Sequence, residues 1–314
     1  MKSRYIKLPN GKLKRCSPDK LKLFLAQNAH LASVNEEIFD FAIKQASGKD
    51  MTRYDTDTFD IDKLAGYEIV LCGAGSVGSH LLYCLGPAKL ITNIIDPKDV
   101  ELKHTYGGRT IYDPTLIGLP KVEAMKRKLE RDFLGTKVNP LPFDVGEIPA
   151  KELQAMFARP LVVISAIDDP KQILRISDLA YPMVEFIQVA MHAGAKSGHI
   201  AVSIPFVTPC LRCTLDIKDS SDIHQLHSES ANSWDIMTVA QQAARIAVDI
   251  MYSKVTGQEI TRWDTSKNLI YIANTRQQLS PDGPGIHFES SQRRPGCPVC
   301  NSSNIPPERR YPDE

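Results

Sequence analysis

Residues 67–96 read YEIVLCGAGSVGSHLLYCLGPAKLITNIID. The apolar run from Tyr67 to Cys72 predicts a buried strand. It breaks at Gly73-Ala74-Gly75-Ser76-Val77-Gly78, and a helical pattern follows with Leu81, Leu82 and Leu85 on one face. A second apolar run ends at Asp96, 21 residues beyond Gly75. Strand, glycine turn, helix, strand and acid, in that order, form the nucleotide-binding βαβ unit. In such a unit Gly73 permits the tight turn, Gly75 lets a phosphate approach the backbone, and Gly78 lets helix and strand pack closely. The helix N-terminus offers free N–H groups and a partial positive charge to phosphates. Asp96 is placed to accept hydrogen bonds from ribose hydroxyls. The unit commits the chain to an α/β fold without naming the nucleotide or its use.

The rest of the chain extends that pattern. Strands are expected at 67–72, 90–95, 138–145, 161–166, 183–190, 198–204 and 268–273, and helices at 76–86, 120–134, 171–180 and 236–253. Alternation argues for a mainly parallel sheet. From Met183 onward strands follow one another with few helices, so that part is expected to be antiparallel. Three regions result: an N-terminal extension over 1–50, a body over 51–275 with a polar crossover loop at 214–235, and a Pro-, Gly- and Ser-rich tail over 276–314. In the extension, Tyr5 to Leu8 and Lys12 to Lys14 flank Asn10-Gly11 as a small hairpin. Helices are expected from Ser17 and over Val34 to Ala46.

With 42% apolar and 24% charged residues, the 314-residue chain has a globular composition. A net charge of +1 argues against a nucleic-acid or membrane partner. No apolar run is long enough to span a bilayer, and MKSRYIKLPNGKLKRCS is not a secretory leader, so a cytoplasmic location is expected.

In that setting seven cysteines suggest metal or catalysis before disulfides. Cys210-Leu211-Arg212-Cys213 and Cys297-Pro298-Val299-Cys300 each look like a zinc knuckle, with 83 residues between them. Four thiolates suit one structural Zn²⁺, with no open position for catalysis, and would tie the tail to the body. Cys72 and Cys84 are expected in the core.

Taken together, the glycine loop, Asp96, the run Ile117-Gly118-Leu119-Pro120-Lys121-Val122-Glu123-Ala124, Ser165-Ala166-Ile167-Asp168-Asp169 and the paired C-x-x-C resemble the ubiquitin-activating and ThiF/MoeB superfamily over residues 53 to 300. The fold class implied is a Rossmann-like mixed α/β sheet flanked by helices, with the tetracysteine zinc site. The resemblance implies an ATP- and Mg²⁺-dependent adenylyltransferase. Its substrate would be the C-terminal carboxylate of a ubiquitin-like or sulfur-carrier β-grasp protein, which a conjugating enzyme can then receive. It also implies a homodimer. Lys121 matches the lysine that contacts phosphates, Asp168 the Mg²⁺-binding aspartate, and Asp96 the ribose acid. Asp169 replaces a common asparagine and is expected to cap a helix.

The chain departs from the family pattern at several points. Lys98 stands where a second acid is usual, and His104 takes the asparagine place of an N-L-x-R-Q run. Arg109 then falls late, across a short insertion, as the candidate phosphate-contacting arginine. Arg53-Tyr54-Asp55-Thr56 matches only half of an R-Y-x-R-Q start whose arginine crosses a dimer interface. Some family members pass the acyl group to a cysteine in the crossover loop, but no cysteine occurs from 214 to 296. Ser228 or Ser230, near His224 and His227, would be the acceptor of an oxyester; an ordinary serine-rich loop is the plainer alternative. Two other functions stay open: an NAD(P)-dependent oxidoreductase, for which His192 is the nearest proton-transfer candidate, and a scaffold that has lost catalysis.

Overall fold

The computed structural model describes residues 5–7, 13–15, 60–217, 232–260 and 262–301. The chain divides into two units, Met1–Ile61 and Asp62–Glu314. In the first, β1 (Tyr5–Lys7) and β2 (Leu13–Arg15) pair antiparallel with Lys7 opposite Leu13. The expected Asn10-Gly11 turn lies outside the described residues. The helices expected at 17 and at 34–46, with Cys16 and Arg53, lie outside the described residues, as do Ser228 and Ser230.

The second unit runs β3 (Glu68–Cys72), α1 (Ser76–Leu85), β4 (Ile91–Ile95), α2 (Leu102–Thr105), α3 (Lys121–Asp132), β5 (Lys137–Leu141), α4 (Ala150–Phe157), β6 (Val162–Ser165), α5 (Pro170–Ala180), β7 (Glu185–Met191), β8 (Ser197–Ser203), α6 (Leu211–Thr214), α7 (Ser233–Thr256), β9 (Leu269–Ala273) and β10 (Gly285–Glu289). One eight-stranded sheet takes the order β10-β9-β8-β7-β6-β3-β4-β5. The pairs β4–β5, β3–β4, β3–β6 and β6–β7 are parallel. Those of β8 with β7 and β9, and of β9 with β10, are antiparallel. The switch follows from chain length: residues 192–196 join β7 to β8, too few for a crossover that could restore parallel order.

Central strands are covered on both faces, which is why they read as unbroken apolar runs. Ile69, Val70, Leu71, Cys72, Val162, Val163 and Ile164 are all fully buried. On α1 the buried stripe passes through Gly78, Leu81, Leu82 and Leu85. Cys84 falls outside that stripe and is exposed, not in the core as expected. Cys72 is buried, and burial pushes its thiol up to about 12, so it is inert. The long helix α7 lies against α1, β7 and β8. Ala240, Ala243, Ala244 and Ala247 on its buried face let it approach closely.

Four elements of this unit fall outside the sequence expectation: the one-turn helices α2 and α6, helix α4 and strand β10. Helix α4 anchors through Leu153 and Phe157, and β10 converts part of the tail into the outermost strand. No helix among the described residues is long and apolar enough to cross a membrane.

Candidate active site

The parallel strands β3, β4, β6 and β7 end at one edge of the sheet, where a cavity of about 460 Å³ opens. This is where open α/β sheets bind ligands. Each strand end contributes to the wall: Gly73 and Gly75 after β3, Asp96 after β4, Ala166 to Asp169 after β6, and Val189 to His192 at the end of β7.

The glycine loop is shaped by its neighbours. A Cβ on Gly73 would stand 2.6 Å from the Ala166 carbonyl oxygen, and its φ is 96°. A Cβ on Gly78 would stand 2.0 Å from the Gly73 carbonyl oxygen. Neither position admits a side chain. Gly75 caps α1, whose first N–H groups have no partner within the helix. Asp96 holds the loop from below. Its Oδ2 accepts the Ala74 N–H and its Oδ1 the Lys98 N–H, both at 2.8 Å. Each oxygen keeps a lone pair for a ribose hydroxyl. Buried Tyr112 ties the loop to α3, donating to the Ala74 carbonyl oxygen at 2.7 Å with the Lys121 carbonyl oxygen at 3.4 Å. Nothing in the sequence marked Tyr112; it is one aromatic in a polar stretch.

Lys121 opens α3 and lines the cavity. The run before it folds back on residues 98–100: Val100 N–H donates to Leu119 O at 2.8 Å, and Lys121 N–H to Lys98 O at 2.9 Å. Its side chain is only 4% exposed, unlike a solvated helix-start lysine. Burial lowers its pKa from the ordinary lysine value, opposed by the nearby Asp96 carboxylate.

Arg109 lines the same cavity despite its late place in the sequence, and its Nε donates to Ser76 Oγ at 3.3 Å. Lys98 and Lys103 add positive charge to the wall. His104 is buried, and its Nδ1 accepts the Glu101 N–H at 2.8 Å. This bond closes the short helix α2, and burial and the Lys121 charge draw the imidazole pKa down.

Asp168 is exposed on the cavity wall beyond β6. Asp169 beside it caps α5, accepting the Gln172 N–H at 2.9 Å. His192 also borders the cavity, but both its nitrogens are engaged, Nδ1 with Ser197 Oγ and Nε2 with His199 Nδ1, each at 2.8 Å.

Away from the cavity, the sulfurs of Cys210, Cys213, Cys297 and Cys300 lie within 4.8 Å of one another, and all four residues are buried. Cys210–Cys297 and Cys213–Cys300 separations are 3.6 and 3.5 Å, too long for disulfides. They approach the edge of a thiolate tetrahedron around Zn²⁺, about 3.8 Å for bonds of about 2.3 Å. The Arg294 N–H donates to Cys213 Sγ at 3.3 Å, and Tyr181 packs against the cluster. The donor set therefore fits Zn²⁺.

Among solved structures, E. coli MccB with ATP superposes with a TM-score of 0.58 at 17% identity, covering 77% of this chain and 68% of that one. E. coli MccB with MccA-N7isoASN gives 0.62 at 17% identity, covering 87% and 85%. The microcin C7 biosynthetic enzyme MccB in complex with N-formylated MccA gives 0.63 at 15% identity, covering 92% and 87%. At such identities these likenesses speak for the fold. No curated protein matches the chain. A comparison with protein families matches residues 49–299, most of the chain, to the ThiF family. The match takes in the whole of the sheet from β3 to β10 and the cavity at its edge, and the chain belongs to the ThiF family.

Proposed function

We propose that the chain is an adenylyltransferase that activates the C-terminal carboxylate of a ubiquitin-like or sulfur-carrier protein with ATP. The observation that carries this reading is the convergence of Lys121, Arg109, Asp96 and Asp168 on one cavity around the start of α1. A dehydrogenase needs the glycine loop but not this ring of phosphate-binding cations, and His192 is already committed to Ser197 and His199. That MccB, which shares the fold, was solved with ATP and with MccA supports a nucleotide and a second substrate for this chain.

In the proposed reaction a carboxylate oxygen attacks the α-phosphorus of ATP. A bond forms to that phosphorus, the bond to the bridging oxygen breaks, and pyrophosphate leaves with its electron pair. The protein's part is positioning and charge. Asp96 holds the ribose and fixes the loop. The N–H groups of α1, with Lys121 and Arg109, face the phosphoryl oxygens and stabilise the charge that builds on them. Asp168 would hold Mg²⁺, a hard cation suited to its oxygen, which when bound neutralises charge on the departing phosphates. Structural Zn²⁺ would be held by Cys210, Cys213, Cys297 and Cys300, clear of the chemistry. A homodimer belongs to the same reading. So does onward transfer to Ser228 or Ser230, which would form an ester and release AMP. A hydroxide-labile adduct that survives in both Ser228→Ala and Ser230→Ala would remove that step.

The direct test is ATP–pyrophosphate exchange. Exchange should depend on a β-grasp carrier and on its intact C-terminus. Exchange absent with every carrier tried, together with NAD(P) binding, would overturn the proposal.

A further inference from the structure

The segment that brings Arg109 to the cavity is held from two sides. Gly107 and Gly108 both have left-handed backbone, with φ of 64° and 67°. Two such residues in succession turn the chain sharply after α2, a path that side chains with a Cβ rarely follow. On one side His80 Nε2 donates to the Gly108 carbonyl oxygen at 3.0 Å. A carbonyl only accepts, so Nε2 carries the proton. On the other side a Cβ on Gly108 would stand 3.0 Å from the Cβ of Ser233, the first residue of α7. His80 is buried on α1, one turn beyond Ser76, and does not itself line the cavity. Burial also lowers its pKa, so the holding group is a neutral imidazole.

We infer that His80 is a positioning residue that sets the Gly107–Gly108 turn so that Arg109 reaches the phosphates of the nucleotide. The short insertion that the family resemblance implies before Arg109 would thus be held in place from α1, the helix whose N-terminus lines the same cavity. This inference rests on the nucleotide-binding part of the proposed function and on no particular acceptor.

The test is calorimetric ATP binding by the full chain and its variants. His80→Leu keeps bulk and removes the donor, and should weaken ATP roughly tenfold, the effect of one well-placed hydrogen bond lost. His80→Gln keeps an N–H donor and should recover most of that loss. Added to Arg109→Ala, His80→Leu should cost nothing more, because both act through one guanidinium. Gly107→Ala strains the turn where no atom lies within 4 Å, and serves the same comparison if His80→Leu does not fold. Losses that add in the Arg109→Ala background, or affinity unchanged in both turn variants, overturn the inference alone. A wild-type chain that binds no ATP overturns the nucleotide reading and the inference with it.

Discussion

A lysine that is 4% exposed, with no ion pair among the described residues, carries a desolvated charge at neutral pH. Lys121 should therefore weaken the fold while serving the site. Its folded pKa lies below the unfolded one, so the unfolded chain binds more protons between the two values and stability rises with pH across that window. Replacing it by Met removes the buried charge. Lys121→Met should raise the thermal midpoint by a few degrees, as expected of about 1 kcal/mol, and abolish ATP binding; scanning calorimetry with and without ATP checks both. A lower midpoint would mean that the ammonium is better satisfied than its surroundings indicate. Asp168 is the opposite case. It is exposed, so Asp168→Ala should leave the melting curve unchanged while reducing exchange at least about a hundredfold. At this scale spacing carried the signal for the tight glycine turn at Gly73 and Gly78 and for the place of Asp96, while only the family resemblance singled out Lys121, which the structure places on the same cavity. The sequence was illegible where a role depends on what lies across the fold. Tyr112 and His80 reach carbonyl oxygens 38 and 28 positions away, and no local pattern announces such bonds.

Helices α1 and α7 show how elements carry these residues. The loop before α1 closes so tightly that one methyl at Gly78 would collide with the Gly73 carbonyl oxygen at 2.0 Å. Gly78→Ala should cost more than about 3 kcal/mol, seen as a shifted urea midpoint or as insoluble protein. A small change would show that the helix can move away from β3. The strands of the parallel half were readable because burial on both faces makes them continuous apolar runs. Helix α4 was not, since only Leu153 and Phe157 of its eight residues are buried, with Met156 partly so. Strand β10 was hidden differently: Ile286 and Phe288 remain substantially exposed, so it lacks a two-face burial signature and depends on pairing with β9.

For the whole molecule, acid is the informative stress. His199 sits against His192 with its Nε2 enclosed and without a partner among the described residues, and burial and the neighbouring imidazole pull its pKa down to about 3. Unfolded, it would titrate near the ordinary 6.5. The unfolded chain binds the extra proton between those values, so the stability associated with a neutral His199 is present above 6.5 and is lost progressively as pH falls toward 3. Urea midpoints at pH 7.5, 6.0 and 5.0 should fall steeply for the wild type and less for His199→Gln; equal slopes would assign the acid sensitivity elsewhere. The four cysteines bear on a different axis, time. They join residues 210–213 to residues 297–300, and between them lie α7, β9 and β10. A chain made from its N-terminus releases the cavity residues from Gly73 to Ala195, and then Ile236, before Cys297 emerges. If the cluster takes up Zn²⁺ as proposed, metal capture would be among the last events of folding, closing a ring that contains α7, β9 and β10. Zinc starvation should accordingly trap a late species with the nucleotide end assembled and the final strands unsecured.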